Sequence, residues 1–163
     1  MKTFTLIFAA LLITLSGCAK NPESGYKKFF NEYHKYPNAT SFKIPAGLAT
    51  FFIGDEDEEA KEFMDDMDDI SFLVFDKLEK QLLIDLNTCL PAKDYKEMMV
   101  VRDGTSEVTF LAKDNGTYIE EIVMTVVDAN ELVVMCITGE FTKESAKKLT
   151  KSINIGNATK MKQ

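Results

Sequence analysis

The residues with the clearest capacity for chemistry are acidic, and they are concentrated in one stretch of the chain. Asp55–Asp69 contains ten of the 26 acidic residues and a single lysine. Asp55, Asp57 and Glu59 have the alternating spacing that begins a calcium-binding loop, but Ala60 stands where an EF-hand needs glycine. The twelfth position of that loop is an aspartate instead of the usual glutamate.

The same stretch also fits a helix with several carboxylates on one face. Three- and four-residue steps would bring acidic side chains together, and such a face can collect divalent cations or can simply be a solvated surface. Both interpretations stay open. The candidate metal ligands are Asp55, Asp57, Glu59, Glu62 and Asp66.

Nucleophilic catalysis would have to use His34, which is the only histidine of the chain. No Gly-x-Ser-x-Gly motif accompanies it, and one histidine cannot build the usual histidine-rich zinc sites. We therefore predict no catalytic residue, no cofactor and no enzymatic activity. A small hydrolase remains an alternative if the fold places His34 beside a serine or cysteine and an acid.

Cys18 closes an N-terminal segment that is typical of export. Lys2 precedes an apolar run over residues 4–15, which is shorter than the roughly 20 residues of a membrane-spanning helix. The sequence Leu15-Ser16-Gly17-Cys18 resembles a bacterial lipobox, which implies cleavage before Cys18 and acylation of that cysteine, including a palmitate-type chain. We predict a signal peptide over 1–17 and a lipidated tether over 18–25. The alternative is an ordinary signal peptide with a coincidental cysteine.

The predicted location is the envelope of a Gram-negative bacterium. No aspartate follows Cys18 directly, which resembles lipoproteins that are passed on to the outer membrane, here facing the periplasm. Cys89 and Cys136 would then lie in an oxidising compartment, so both a disulfide and a buried free thiol at Cys136 remain possible. The net charge of −7 without a basic cluster excludes nucleic acid as the expected partner.

The remaining patterns predict a single α+β domain over 26–153 and a polar tail over 154–163. A helix over 26–36, a short strand over 40–44 and a helix from Pro45 lead into the acidic block, whose Phe63, Met64 and Met67 form an apolar stripe. An apolar strand over 70–75 follows, and Asp76 is a candidate cap for the next helix.

Four strands joined by short turns complete the predicted sheet. Asp103-Gly104 and Asn115-Gly116 mark turns, and Gly139 is interpreted as a turn residue as well. Thr142 should cap a last helix over 143–152. The expected architecture is a mixed, mostly antiparallel sheet, a βαβ-type unit followed by a four-strand meander, with helices mainly on one face.

Several of these segments resemble the Gram-negative envelope lipoproteins grouped as domain-of-unknown-function family 4252. The resemblance rests on Tyr95–Gly104, on Ile119–Met124 and on the closing Gly139-Glu140-Phe141, and it extends over about residues 40–149. It implies an exported or lipid-anchored α+β domain without an assigned activity, with genes near sigma-factor regulators and hence a role in envelope signalling. We expect a protein partner and a membrane anchor at Cys18, with divalent-cation or small-ligand binding at Asp55–Asp69 as the alternative.

Overall fold

The computed structural model of the chain describes residues 23–49 and 63–152. The signal peptide, Cys18, the tail and four of the five candidate metal ligands (Asp55, Asp57, Glu59, Glu62) lie outside these residues. The elements are α1 (Gly25–Tyr33), β1 (Ala39–Pro45), α2 (Ala46–Ala49), β2 (Met67–Phe75), α3 (Lys80–Cys89), β3 (Lys96–Asp103), β4 (Ser106–Asp114), β5 (Ile119–Val127), β6 (Leu132–Phe141) and α4 (Lys143–Ser152).

The strands form one six-stranded sheet in the order β1-β2-β6-β5-β4-β3. This arrangement confirms the α+β class and the four-strand meander, because β3 to β6 are neighbours in chain order. Gly104 and Gly116 adopt φ values of +60° and +98°, as the predicted tight turns require. Gly139 is different, since it lies inside β6 and is buried.

The prediction of a mixed sheet is wrong in one respect, because β1 and β2 pair in the antiparallel direction. Ala39 lies opposite Phe75, and Pro45 lies opposite Asp69. The connection from β1 to β2 therefore begins and ends at the same end of the sheet, and the βαβ-type unit contains no parallel crossover. Every strand pairing among the described residues is antiparallel.

Helices cover both faces of this sheet, and not mainly one as expected. On one side, the α1 face, Phe29 and Leu82 of the helices pack with Leu73 and Val134 of the strands. On the opposite side, the α4 face, the helical segment 63–65 and α4 pack against Phe110, Ile122 and Phe141 of the strands. The central strands are apolar on both sides, so each face needs a cover.

Several element boundaries differ from the sequence pattern. Met67 and Asp69 belong to β2, so the helix predicted over the acidic block ends before Met67. Glu79, and not Asp76, occupies the N-cap of α3. The last helix has its predicted bounds, and the Ser145 N–H donates to Thr142 Oγ1 at 3.0 Å, which confirms Thr142 as its cap.

Candidate functional site

His34 closes α1 and faces the backbone of its own helix. Its Nδ1 lies 3.1 Å from the carbonyl oxygen of Phe30 and 3.0 Å from that of Asn31, and its ring stacks on Phe30. The Ser41 hydroxyl donates to the His34 backbone carbonyl at 3.0 Å and not to the ring. The imidazole is thus used in local packing at the helix end.

Two residues of the acidic block that the structure describes, Asp66 and Asp69, are engaged in backbone and strand contacts. Asp69 forms an ion pair with Lys43 across β1 and β2, with 2.8 Å between Oδ2 and Nζ. The carbonyl of Asp66, the described member of the metal candidates, accepts a hydrogen bond from the Glu140 N–H at 2.9 Å. Within residues 23–49 and 63–152, no three acidic, histidine or cysteine side chains are grouped so that they could hold a metal ion.

Cys89 and Cys136 are both free thiols. Cys136 lies fully buried in the core of the α1 face, and Cys89 packs at its margin. Burial raises the pKa of both thiols, with nearby carboxylates adding to the effect. Neither thiol is therefore activated as a nucleophile at neutral pH.

A buried polar group fixes the start of α1 against the sheet. The Tyr95 hydroxyl donates to Glu121 Oε2 at 2.7 Å and accepts from the Tyr26 N–H at 3.0 Å. Lys113 Nζ lies 3.8 Å from Glu121 Oε1 and supplies a compensating charge. This chain of contacts fixes the N-terminal end of α1 against β5.

Burial keeps the tyrosines of this group protonated. Desolvation is the main cause that raises the pKa of Tyr95 and of Tyr26, and the Glu121 carboxylate raises the pKa of Tyr95 further. The Tyr26 hydroxyl is buried and makes no geometrically good hydrogen bond with any described residue, although the Ser71 hydroxyl is close enough to influence its pKa. The arrangement serves as a structural clamp for α1.

The second feature is the outer edge of β1. Phe42 of β1 stacks on Phe72 of β2 with ring centroids 4.4 Å apart, and Phe42 is still 44% exposed. Ile44 lies on the same face as Phe42, and the Lys43–Asp69 ion pair lies on the opposite face of the same two strands. We call these five residues the β1 surface. No strand lies outside β1 among the described residues, so its outer backbone groups have no strand partner there.

Comparison with known proteins gives the family. Residues 33–149 match the family described as Domain of unknown function (DUF4252). The chain belongs to the DUF4252 family. The DUF4252 match contains the whole β1 surface, Tyr95 and Glu121, whereas Tyr26 lies before it.

Neither the curated proteins nor the solved structures give a significant match. A helix with the length and apolar character needed to cross a membrane does not occur in the part of the chain that the structure describes.

Neither feature is evident from the sequence pattern alone, for identifiable reasons. Glu121 lies two residues before the buried Val123 on β5, and that spacing could have indicated an inward-facing carboxylate. Phe42 was placed on a strand, but its exposure depends on β1 being the edge of the sheet. No local pattern contains that information.

Proposed function

We propose that this chain is a lipid-anchored protein of the bacterial envelope whose domain binds a protein partner through the β1 surface. The observation that carries the proposal is the Phe42–Phe72 pair, a stacked aromatic contact that remains partly exposed on an edge strand. Exposed aromatic side chains are typical of interaction sites, where they add apolar contact area to main-chain recognition.

An extended segment of the partner fits this surface best. A sheet edge can add a strand through main-chain hydrogen bonds, while a neighbouring apolar side chain supplies specificity. Pro45 ends β1 and has no N–H to donate, which limits the pairing to the preceding part of the strand. Phe42 lies in the middle of that part.

The anchor is supported by the lipobox that ends at Cys18. Three acyl chains would hold the protein on the membrane stably, where a single chain binds only marginally. Only six residues lie between Cys18 and Gly25, the first residue of α1, which makes seven Cα–Cα steps. An extended chain of that length spans at most about 25 Å, so the domain would stay close to the membrane surface.

Labelling with radioactive palmitate in growing bacteria tests the anchor. The wild-type chain should incorporate label and fractionate with membranes, and Cys18→Ala should lose both properties. A labelled Cys18→Ala variant, or an unlabelled wild type, would contradict the proposed lipidation.

Affinity capture of the full-length chain from detergent-solubilised envelopes tests the partner site. Phe42→Ala should lose a protein that the wild type retains. Tyr118→Ala is the matched control, because Tyr118 is another exposed aromatic residue, 39% accessible, in the turn between β4 and β5. Identical sets of captured proteins from both variants would show that the β1 surface is not the binding site.

A further inference from the structure

The other edge of the sheet has a charge pattern that is complementary to itself. β3 is the edge strand at the side opposite β1, and it begins with Lys96-Glu97 and ends with Arg102-Asp103. When two identical strands run antiparallel, the start of each faces the end of the other. We propose that β3 pairs with β3 of a second copy of this chain, so that the two six-stranded sheets become continuous.

A β-bulge in β3 makes the charge pattern compatible with this pairing. Glu97 lies opposite Leu111 and Met99 lies opposite the preceding residue of β4, so Met98 has no β4 partner of its own. Side chains that face each other across two strands must point to the same side of the sheet. Glu97 and Arg102 are five residues apart and would point to opposite sides in a regular strand, and the extra residue removes that mismatch.

The register follows once the bulged residue is left out. Glu97 then shares the α1 face with Leu111, and Met99 and Val101 share the α4 face with their partners Phe110 and Val108. The seven remaining residues of β3 are symmetric about Val100, which lies opposite Val100 of the second copy. In this register Met99 faces Val101, Glu97 faces Arg102 and Lys96 faces Asp103.

The charged side chains are accessible for these contacts. The Lys96 and Arg102 side chains are 70% and 73% exposed, and each forms an ion pair with a residue of β4 in its own chain. Glu97 and Asp103 are also exposed, and neither forms an ion pair with another described residue. A second copy would therefore place a cationic side chain opposite each of these two carboxylates.

Charged edges usually prevent sheet extension, because identical charges meet and repel. β3 differs, since the order of its charges brings opposite signs together at both ends of the pair. The β1 edge lacks this property. An antiparallel pair of β1 strands centred on Phe42 would place Lys43 opposite Ser41, without any charge pairing, and Pro45 would remove a donor.

Charge exchange in the full-length chain tests this assignment. Two copies with different C-terminal affinity tags are expressed together, solubilised in detergent, and captured through one tag while the other is quantified. Glu97→Arg or Arg102→Glu alone creates two like-charge contacts by symmetry, so co-capture should fall about tenfold or more. The double variant Glu97→Arg/Arg102→Glu should restore co-capture to the wild-type level.

Lys77→Glu, in the connection between β2 and α3, is the matched control and should leave co-capture unchanged, because its side chain is 70% exposed like that of Lys96 but lies outside both edge strands. A thermal melt of each variant shows whether the domain is still folded. Absence of co-capture for the wild type, full co-capture for the single variants, or a folded double variant that is no better than the single ones would each overturn the proposal. This experiment does not involve the β1 surface, so its outcome is separate from that of the partner proposed above.

Discussion

At the scale of single residues, the position of α1 depends on the phenol of Tyr95. The hydroxyl accepts a hydrogen bond from the Tyr26 N–H and donates one to the buried Glu121 carboxylate. Buried polar groups cost free energy when they lose a partner, and this one hydroxyl satisfies both the Tyr26 N–H and the Glu121 Oε2 atom.

Tyr95→Phe should therefore destabilise the domain. The variant leaves a buried carboxylate without its donor and a backbone N–H without its acceptor, which we expect to lower the free energy of unfolding by about 1–3 kcal/mol. Urea denaturation followed by circular dichroism measures the change. Tyr118→Phe is the control and should stay within about 0.5 kcal/mol of the wild type, because Tyr118 is exposed. Equal stability of the two variants would mean that the Tyr95 contacts contribute little.

The buried thiols should make the fold sensitive to alkaline pH. Burial raises the pKa of Cys136 above its ordinary value of 9.0 in the folded state. Above that pH the unfolded chain loses a proton that the folded chain keeps, so the free energy of unfolding should fall as pH rises. The slope contributed by one group is about 1.4 kcal/mol per pH unit. Cys136→Ala should show a shallower slope between pH 9 and 10 in chemical denaturation, and an unchanged slope would contradict the assignment.

At the scale of elements, the contact between β6 and the start of β2 depends on a glycine. Gly139 lies opposite Met67, and a Cβ at this position would be 2.2 Å from the carbonyl oxygen of Asp66. The Glu140 N–H donates to that same carbonyl. The absence of a side chain thus allows the segment before β2 to lie directly on β6.

Gly139→Ala should consequently destabilise the sheet more than an ordinary surface change. The added methyl group meets backbone atoms that cannot move independently, and such overpacking costs about 1–3 kcal/mol. Gly47→Ala is the matched control, because a Cβ built there has no atom of residues 23–49 or 63–152 within 4 Å. Thermal unfolding of the two variants compares them, and a Gly139→Ala variant as stable as Gly47→Ala would contradict this account of the contact.

How far the sequence predicts the elements depends on whether their signals are local. The meander and its turns were predicted because alternation and the turn glycines occur within a few residues of each other. The antiparallel direction of β1 relative to β2 was not predicted, since strand pairing depends on contacts between distant segments. Met67 and Asp69 were assigned to a helix because helical spacing and strand alternation overlap there, and the acidic side chains hide the start of β2.

The candidate site was even less predictable. Phe42 and Phe72 lie thirty residues apart and meet only because β1 pairs with β2 in one register. The charges of β3 are visible in the sequence, but whether opposite charges face each other in a pair of β3 strands depends on the bulge at Met98, which only the structure shows.

At the scale of the whole molecule, the two edges of the sheet have different chemistry. The β1 edge has the exposed Phe42 stacked on Phe72, and the β3 edge has a cation and an anion at each of its two ends. Five strand spacings of about 4.8 Å separate them, which is roughly 24 Å. This separation would leave room for the proposed partner at β1 and the proposed second copy at β3 at the same time.

Site-specific photo-crosslinking in intact bacteria tests the central claim most directly. A photoreactive amino acid replaces Phe42 in one variant of the full-length chain, and Val100 of β3 in a second variant as the comparison. We predict that the Phe42 position forms a covalent adduct with a different protein and that the Val100 position forms a dimer of this chain. An absence of any adduct at Phe42, or the same adducts from both positions, would contradict the assignment of the β1 surface as the partner site.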